Sequence, residues 1–96
     1  MTTEICSTVL NINQALKYAK ECGHKSFQVE VTTSNNKVNT SSAYYYVSVD
    51  NQVDITDNIR YIMNFLFDVL GYTGHDVDIS DLSEEGYHAR QITVRF

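Results

Sequence analysis

The stretch from Ile59 to Leu70 carries apolar residues at the spacing of an α-helix, and it constrains the fold more than any other part of the chain. Such a stripe has to be buried against another element, and each large side chain contributes about 1.5–3 kcal/mol when it is buried. We expect this helix to begin near Asp54 and to end at Gly71. Thr56 is the expected N-cap, and Asp57 should lie in the first turn, where the helix dipole favours negative charge. The expected core face is Ile59, Ile62, Met63, Leu66 and Leu70, widened by Phe65, Phe67 and Val69.

Two further segments have the alternation of β-strands, in which successive side chains point to opposite faces of a sheet. One runs from Ser26 to Thr33, and the second is best defined from Ser42 to Asp50. The turn-forming residues Ser34–Lys37 lie between them, so the pair is predicted to form a β-hairpin. The residues predicted to face the core are Phe27, Val29, Val31, Ala43, Tyr45, Val47 and Val49, and those predicted to face outward are Gln28, Glu30, Thr32, Tyr44, Tyr46 and Ser48.

The N-terminal region has a weaker pattern. Thr3–Leu10 contains several β-branched residues and is predicted to form a short strand. A helix is then expected from a cap at Asn11 or Asn13 to about Cys22, and Gly23 should stop it. Its expected core face is Ile12, Ala15, Leu16 and Ala19.

The C-terminal region is predicted to end in a strand. Val77–Ile79 alternates with aspartates, which is typical of either a short strand or an extended loop. Ser80–Gly86 is expected to form a turn or a single helical turn. Arg90–Phe96 should be a strand that points Ile92, Val94 and Phe96 inward.

The resulting element order predicts an α+β fold, an antiparallel sheet of about four strands with two helices on one face. The order resembles that of a ferredoxin-like βαββαβ domain with an acidic insertion before the last strand. A simpler α+β sheet with two helices on one face is the alternative. Ninety-six residues are expected to form a single domain, residues 1–96.

Acidic residues are concentrated in the second half of the chain. Residues 50–96 contain nine acidic and three basic side chains, whereas residues 1–49 contain three and four. Most of the excess lies in two short tracts, one at Asp50, Asp54 and Asp57 and one from Asp76 to Glu85.

Two interpretations of these tracts are open. They can be a solvated surface that keeps the protein soluble, or a ligand for a basic surface. In a strand, Asp76 and Asp78 would project on the same side about 6.6 Å apart, an array suited to the Lys/Arg groove of a nucleic-acid-binding protein. The residues predicted to bind such a partner are Asp76, Asp78, Asp81, Glu84, Glu85, Asp50, Asp54, Tyr44 and Tyr46.

Metal and cofactor sites are not expected. Asp76–Ser80 begins like a calcium loop, but that pattern needs glycine where Asp81 stands and glutamate where Tyr87 stands. The histidines and cysteines show no paired spacing for zinc.

The sequence also indicates no catalytic nucleophile, so we do not expect an enzyme. Cys22 and His24 are close in the chain, but catalytic pairs depend on spatial geometry, and Cys22 is expected to pack against the core. Cys6 and Cys22 are expected to be reduced.

Direct binding of nucleic acid is disfavoured. Tyr44 and Tyr46 on an open sheet resemble the stacking aromatics of an RNA-recognition domain, but the glycine and basic positions of that signature are absent. The formal net charge of −5 also has the wrong sign for a phosphate backbone.

The expected location is the cytosol. Glu4 stands where a secretory signal would have a basic residue, and the apolar stretch there is short. The stretch Ile59–Leu70 is interrupted by Arg60, Asn64 and Asp68, so no membrane span is expected.

In its small size, acidity and absence of a catalytic motif, the whole chain resembles the small acidic phage proteins that inhibit CRISPR systems, including the type I-F inhibitors. That resemblance implies non-catalytic binding to Cas proteins of a surveillance complex in the host bacterial cytosol, with target DNA blocked by mimicry. A nuclease immunity protein or antitoxin, and a small ligand-binding or enzyme-subunit domain, are the alternatives.

Overall fold

A four-stranded mixed sheet organises the chain, and the α+β prediction is confirmed. The computed structural model describes residues 2–34 and 43–96. The strands lie in the order β2-β1-β4-β3. In chain order the elements are α1 (Thr2–Glu21), β1 (Ser26–Thr32), β2 (Tyr44–Ser48), α2 (Gln52–Asn64), a π-helical turn (Phe65–Val69), β3 (Val77–Asp81) and β4 (Ala89–Arg95).

The N-terminal strand prediction is wrong, because α1 already begins at Thr2 and passes through Asn11 and Asn13. Within residues 8–21, the part of α1 whose side chains the structure describes, the buried apolar residues are Val9, Ile12, Leu16 and Ala19, which recur at helical spacing. Burial of this stripe outweighs the weak strand preference of the β-branched residues. The order is therefore α-β-β-α-β-β, not the ferredoxin-like order.

Gly23 ends α1 as predicted. Its φ of 84° is strained for residues with a Cβ. The N–H of His24 donates to the carbonyl of Ala19 at 3.0 Å, and that of Gly23 to Lys20 at 3.1 Å. These two bonds are those of a Schellman cap.

The predicted hairpin of β1 and β2 is also wrong, since the two strands pair in parallel, with Gln28 opposite Tyr44 and Thr32 opposite Ser48. Parallel neighbours need a connection that returns the chain to the same end of the sheet. Most of that connection, including the predicted turn beyond Ser34, lies outside the described residues.

The hairpin in this fold is formed by β3 and β4. Val77 pairs with Val94 and Asp81 with Arg90, and the same register continues to the bridge between Glu84 and Tyr87. Residues 85 and 86 form the tip, where Gly86 has a φ of 96° that suits glycine. Most of the acidic tract from residue 76 to 85 is thus one arm of a β-hairpin.

The N-cap of α2 lies five residues before the predicted Thr56. Asn51 is the N-cap, and its side-chain oxygen accepts a hydrogen bond from the N–H of Asp54 at 3.0 Å. Thr56 is inside the helix, where its hydroxyl donates to the carbonyl of Gln52. Asp54 rather than Asp57 is therefore the acidic residue of the first turn.

The end of α2 widens into a π-helical turn, in which the N–H of Leu70 donates to the carbonyl of Phe65 at 3.1 Å. Gly71 follows with a φ of 78°, as expected for a helix stop. Leu66 is 1% exposed, whereas Val69 is 67% exposed, so Val69 does not widen the buried stripe as predicted.

The core lies between one face of the sheet and both helices. The predicted inward residues of β1 are buried, and Ile92 and Val94 of β4 are fully buried, but Phe96 remains 43% exposed. The buried cluster is Ile12, Leu16, Ala19, Phe27, Val29, Val31, Ala43, Ile55, Ile59, Ile62, Leu66, Val77, Ile92 and Val94.

Leu66→Ala should lower the free energy of unfolding by about 2–5 kcal/mol, because it leaves a cavity in the core. Val69→Ala is the matched control from the same π-helical turn and should change stability by less than about 0.5 kcal/mol. Equilibrium urea denaturation measures both. Equal effects would show that the burial of this turn is misassigned.

Candidate acidic binding surface

Two threonines at the end of β1 hold three segments together. Thr32 is fully buried, and its hydroxyl donates to the carbonyl of His88 and accepts from the N–H of Ser34. The N–H of Thr33 donates to the same His88 carbonyl at 2.9 Å, and the N–H of His88 donates to the Thr33 hydroxyl at 3.0 Å. The N–H of Val49 donates to the carbonyl of Thr32 at 2.9 Å. We call the region where Thr32 and Thr33 bond to His88 and Val49 the corner. The corner places the hairpin tip beside the chain that leads into α2.

Two open cavities lie beside the corner, and both are lined by Glu84 and Tyr87. The larger, of about 630 Å³, is also lined by Glu30 and Asp81. The smaller, of about 370 Å³, is also lined by Asp50. We call these four carboxylates and Tyr87 the acidic pole. The two acidic tracts that are separate in the sequence thus meet at one end of the sheet.

Asp81, the last residue of β3, is held in place by the residues that follow it. Its carboxylate accepts a hydrogen bond from the N–H of Ser83 at 2.9 Å. This bond, with smaller contributions from the charges of Arg90 and His88, lowers the pKa of Asp81. The carboxylate therefore stays ionised at the edge of the larger cavity.

The structure does not bring Asp76 and Asp78 into the acidic pole. The Asp76 carboxylate accepts hydrogen bonds from the N–H and the hydroxyl of Thr73, at 3.1 and 3.0 Å, and these bonds lower its pKa. Asp78 forms an ion pair with Arg95, which also donates to the carbonyl of His75. Both carboxylates have local partners that the sequence did not reveal.

The other two predicted carboxylates lie next to the acidic pole. Glu85 is exposed at the hairpin tip beside Glu84. Asp54 is in the first turn of α2, three residues after the cap Asn51, which lines the smaller cavity with Asp50. The acidity of this end of the molecule therefore extends beyond the cavities.

The predicted tyrosines lie on the open face of the sheet. The rings of Tyr44 and Tyr46 are 4.8 Å apart, and the hydroxyl of Tyr44 donates to the carboxylate of Glu30. Tyr46 is directly opposite Glu30 in the β1–β2 register. Partial burial, followed by the charge of Glu84 and smaller effects of Glu30 and Tyr46, raises the pKa of Tyr87.

Sequence reasoning missed Glu30 and Tyr87 as members of the site. Glu30 alternates outward in β1, as predicted, and that signal could have placed it on the same face as Tyr44 and Tyr46. Tyr87 lies between the predicted turn Ser80–Gly86 and the predicted strand Arg90–Phe96, and no pattern in the sequence indicated that it would line both cavities.

Cys22 is exposed, which corrects the expectation that it packs against the core. It is a free thiol. Cys6 precedes it by sixteen residues along α1, which at the helical rise separates the two backbones by about 24 Å, too far for a disulfide.

Within residues 2–34 and 43–96, no group of three or more histidine, cysteine or acidic side chains is arranged to hold a metal ion. No helix in the described part of the chain is long and apolar enough to cross a membrane. Comparison of the chain with protein-family models, with curated proteins and with solved structures found no match.

Asp76→Asn should destabilise the protein in a pH-dependent way. The folded-state pKa of Asp76 is below its ordinary value of 3.8, so the ionised side chain stabilises the fold above that pH. This stabilisation is lost as the pH falls through the folded-state pKa. The difference in unfolding free energy between the wild type and Asp76→Asn should have its largest value at pH 7 and should become smaller below about pH 3.8.

Equilibrium unfolding from pH 7 to pH 2 measures this difference. Thr73→Val, which keeps the N–H donor and removes the hydroxyl, should show part of the same effect. A difference that is constant across the range would contradict the assigned hydrogen bonds.

Proposed function

We propose that this protein is a non-enzymatic inhibitor whose acidic pole binds a basic, nucleic-acid-binding surface of a CRISPR–Cas surveillance complex and blocks target DNA. The observation that carries the proposal is the meeting of two separate acidic tracts, through Asp50 and Glu84, around one cavity. The place of action is the host bacterial cytosol.

The chemistry of the acidic pole supports a basic partner. Lysine and arginine side chains that bind phosphate oxygens also form charge-assisted hydrogen bonds with carboxylates. Four carboxylates line the two cavities, and Glu85 and Asp54 lie next to them. A field of one sign concentrated at one end of a molecule speeds association with a complementary surface.

Tyrosine rings add contact area to this charge. Tyr87 lines both cavities, and Tyr44 and Tyr46 lie half-buried beside Glu30 on the open face. Such side chains combine an apolar ring with a polar hydroxyl and are enriched among the residues that contribute most to protein interfaces. They also give arginine side chains a face on which to stack.

The two cavities favour one alternative, a ligand-binding or enzyme-subunit domain. The titratable groups Asp81 and Tyr87 line the larger cavity and both have shifted pKa values. The pKa of Asp81 is lowered and that of Tyr87 is raised, so both shifts lead away from neutral pH. General acid–base catalysis favours a pKa near the working pH, so these shifts fit a fixed negative charge at Asp81 and an uncharged hydroxyl at Tyr87 better.

A nuclease immunity protein or antitoxin would present the same acidic pole to a basic enzyme cleft. The resemblance of the chain to small acidic phage inhibitors favours the Cas partner. Genomic neighbours separate the two, since an immunity protein is encoded beside a toxin and a phage inhibitor beside phage structural genes.

The proposal is tested by competition with DNA. The protein is used to capture its partner from CRISPR-bearing cells, and the purified partner is titrated with labelled target DNA. Saturating amounts of the protein should abolish DNA binding. A partner that keeps its full DNA affinity would overturn the proposal.

Neutralising two carboxylates of the acidic pole should weaken this inhibition. The double variant Asp50→Asn/Glu84→Gln should associate with the partner about tenfold more slowly at low salt and lose part of the salt dependence. Stopped-flow or surface-binding kinetics at several salt concentrations measure both effects.

The charge-matched control is Glu21→Gln/Asp68→Asn. Both residues are exposed. Glu21 is the last residue of α1 and Asp68 lies in the π-helical turn after α2, and these helix ends lie opposite the acidic pole. This control loses the same net charge and should keep most of the association rate. Equal losses in the two double variants would show that only total charge matters.

A further inference from the structure

β3 is an edge strand that leaves backbone groups available. It pairs with β4 on one side, and the sheet order places no described strand on its other side. The N–H of Arg95 donates to the carbonyl of Asp76 at 2.7 Å, and the N–H of Leu82 to the carbonyl of Ala89 at 2.9 Å. Even-numbered residues of this arm therefore bond to β4.

Antiparallel pairing alternates between residues that bond to the neighbouring strand and residues that direct their backbone groups away from it. Val77, Ile79 and Asp81 belong to the second set. Their N–H and carbonyl groups therefore point to the free edge, and no hydrogen bond to them appears in the described part of the chain. Three alternate residues whose backbone groups all point to the free edge can pair with an added strand.

The side chains of β3 specify what such a strand should contain. Ile79 lies on the helix side of the sheet, opposite the buried Ile92, and is itself 48% exposed. Asp78 lies on the open side, and its side chain remains 61% exposed despite the ion pair with Arg95. An added strand would meet an apolar side chain on one face and a carboxylate on the other.

We infer that the β3 edge binds an extended segment of the partner as a fifth strand, in which apolar and basic residues alternate. Apolar side chains would pack beside Ile79, and basic ones would face Asp78 on the open side. The inference rests on the proposed function for its basic partner, and it adds backbone pairing to the charge attraction of the acidic pole.

Charge complementarity selects this occupant over a second copy of the chain. Each copy carries a formal net charge of −5, and an edge-to-edge dimer would bring two acidic hairpin arms together. Acidic side chains on an exposed edge oppose such self-pairing while they attract a basic strand.

The probe is a blocked eight-residue peptide that alternates lysine and valine. Amide hydrogen exchange of the wild-type protein, followed by NMR, should slow about tenfold at Ile79 and Asp81 when the peptide is present. Two matched peptides are controls, one alternating glutamate and valine, the other with lysine and valine but methylated on every backbone nitrogen. Neither control should slow exchange.

A protein variant tests the same backbone groups. Ile79→Pro removes an N–H that points away from β4, so proline is tolerated there, and peptide affinity should fall at least about tenfold. Ile79→Thr keeps the N–H and a β-branched side chain, and should stay within about threefold of the wild type.

Three outcomes would overturn the inference. One is unchanged exchange at the β3 edge while peptide signals shift only at the acidic pole. A second is equal affinity of the proline and threonine variants. A third is protection of Ile79 without peptide, together with a mass that doubles with concentration, which would identify a second copy as the occupant. None of these measurements uses a Cas complex or DNA, so their failure is distinct from failure of the DNA competition.

Discussion

β1 and β4 form seven antiparallel residue pairs in the middle of the sheet, and this pairing positions the other elements. Their inner residues Phe27, Val29, Ile92 and Val94 are at most 1% exposed and form the surface on which both helices pack. β2 pairs with the other side of β1, and β3 pairs with the other side of β4. Because Thr32 pairs with Ala89, the end of β1 lies beside the hairpin tip that precedes β4.

The parallel direction of β2 then decides where the charge accumulates. Since β2 runs parallel to β1, it ends at the same edge of the sheet, and Asp50 lines the same cavity as Glu84. An antiparallel β2, as in the predicted hairpin, would have carried Asp50 to the opposite end near Ser26. The acidic pole is therefore a consequence of strand direction, which the charge count of the sequence does not contain.

Periodicity predicted most of the buried residues but not how the elements are arranged. Among its errors is Thr32, which was expected to face outward and is fully buried. The inward sets of β1 and α2 were predictable because burial imposes a period of 2 on strands and 3.6 on helices. Strand direction was not, because alternation is the same in parallel and antiparallel pairs. In α1, the spacing of Val9 and Ile12 carried the helical signal, but β-branched neighbours masked it. For the candidate site, Asp50 and Glu84 were predictable from charge, whereas Glu30 and Tyr87 required the folded arrangement.

The local partners of the acidic residues are compatible with binding. Asp81 is fixed by the N–H of Ser83 and stays ionised, so ordering it at an interface costs less conformational entropy than ordering a mobile side chain. The same hairpin arm presents Ile79 and its free backbone groups. Charge acts over about a Debye length and brings a basic surface near, whereas backbone pairing acts only at contact. In the proposed complex, a hairpin that combines both would therefore select first for charge and then for an extended conformation, which neither property would achieve alone.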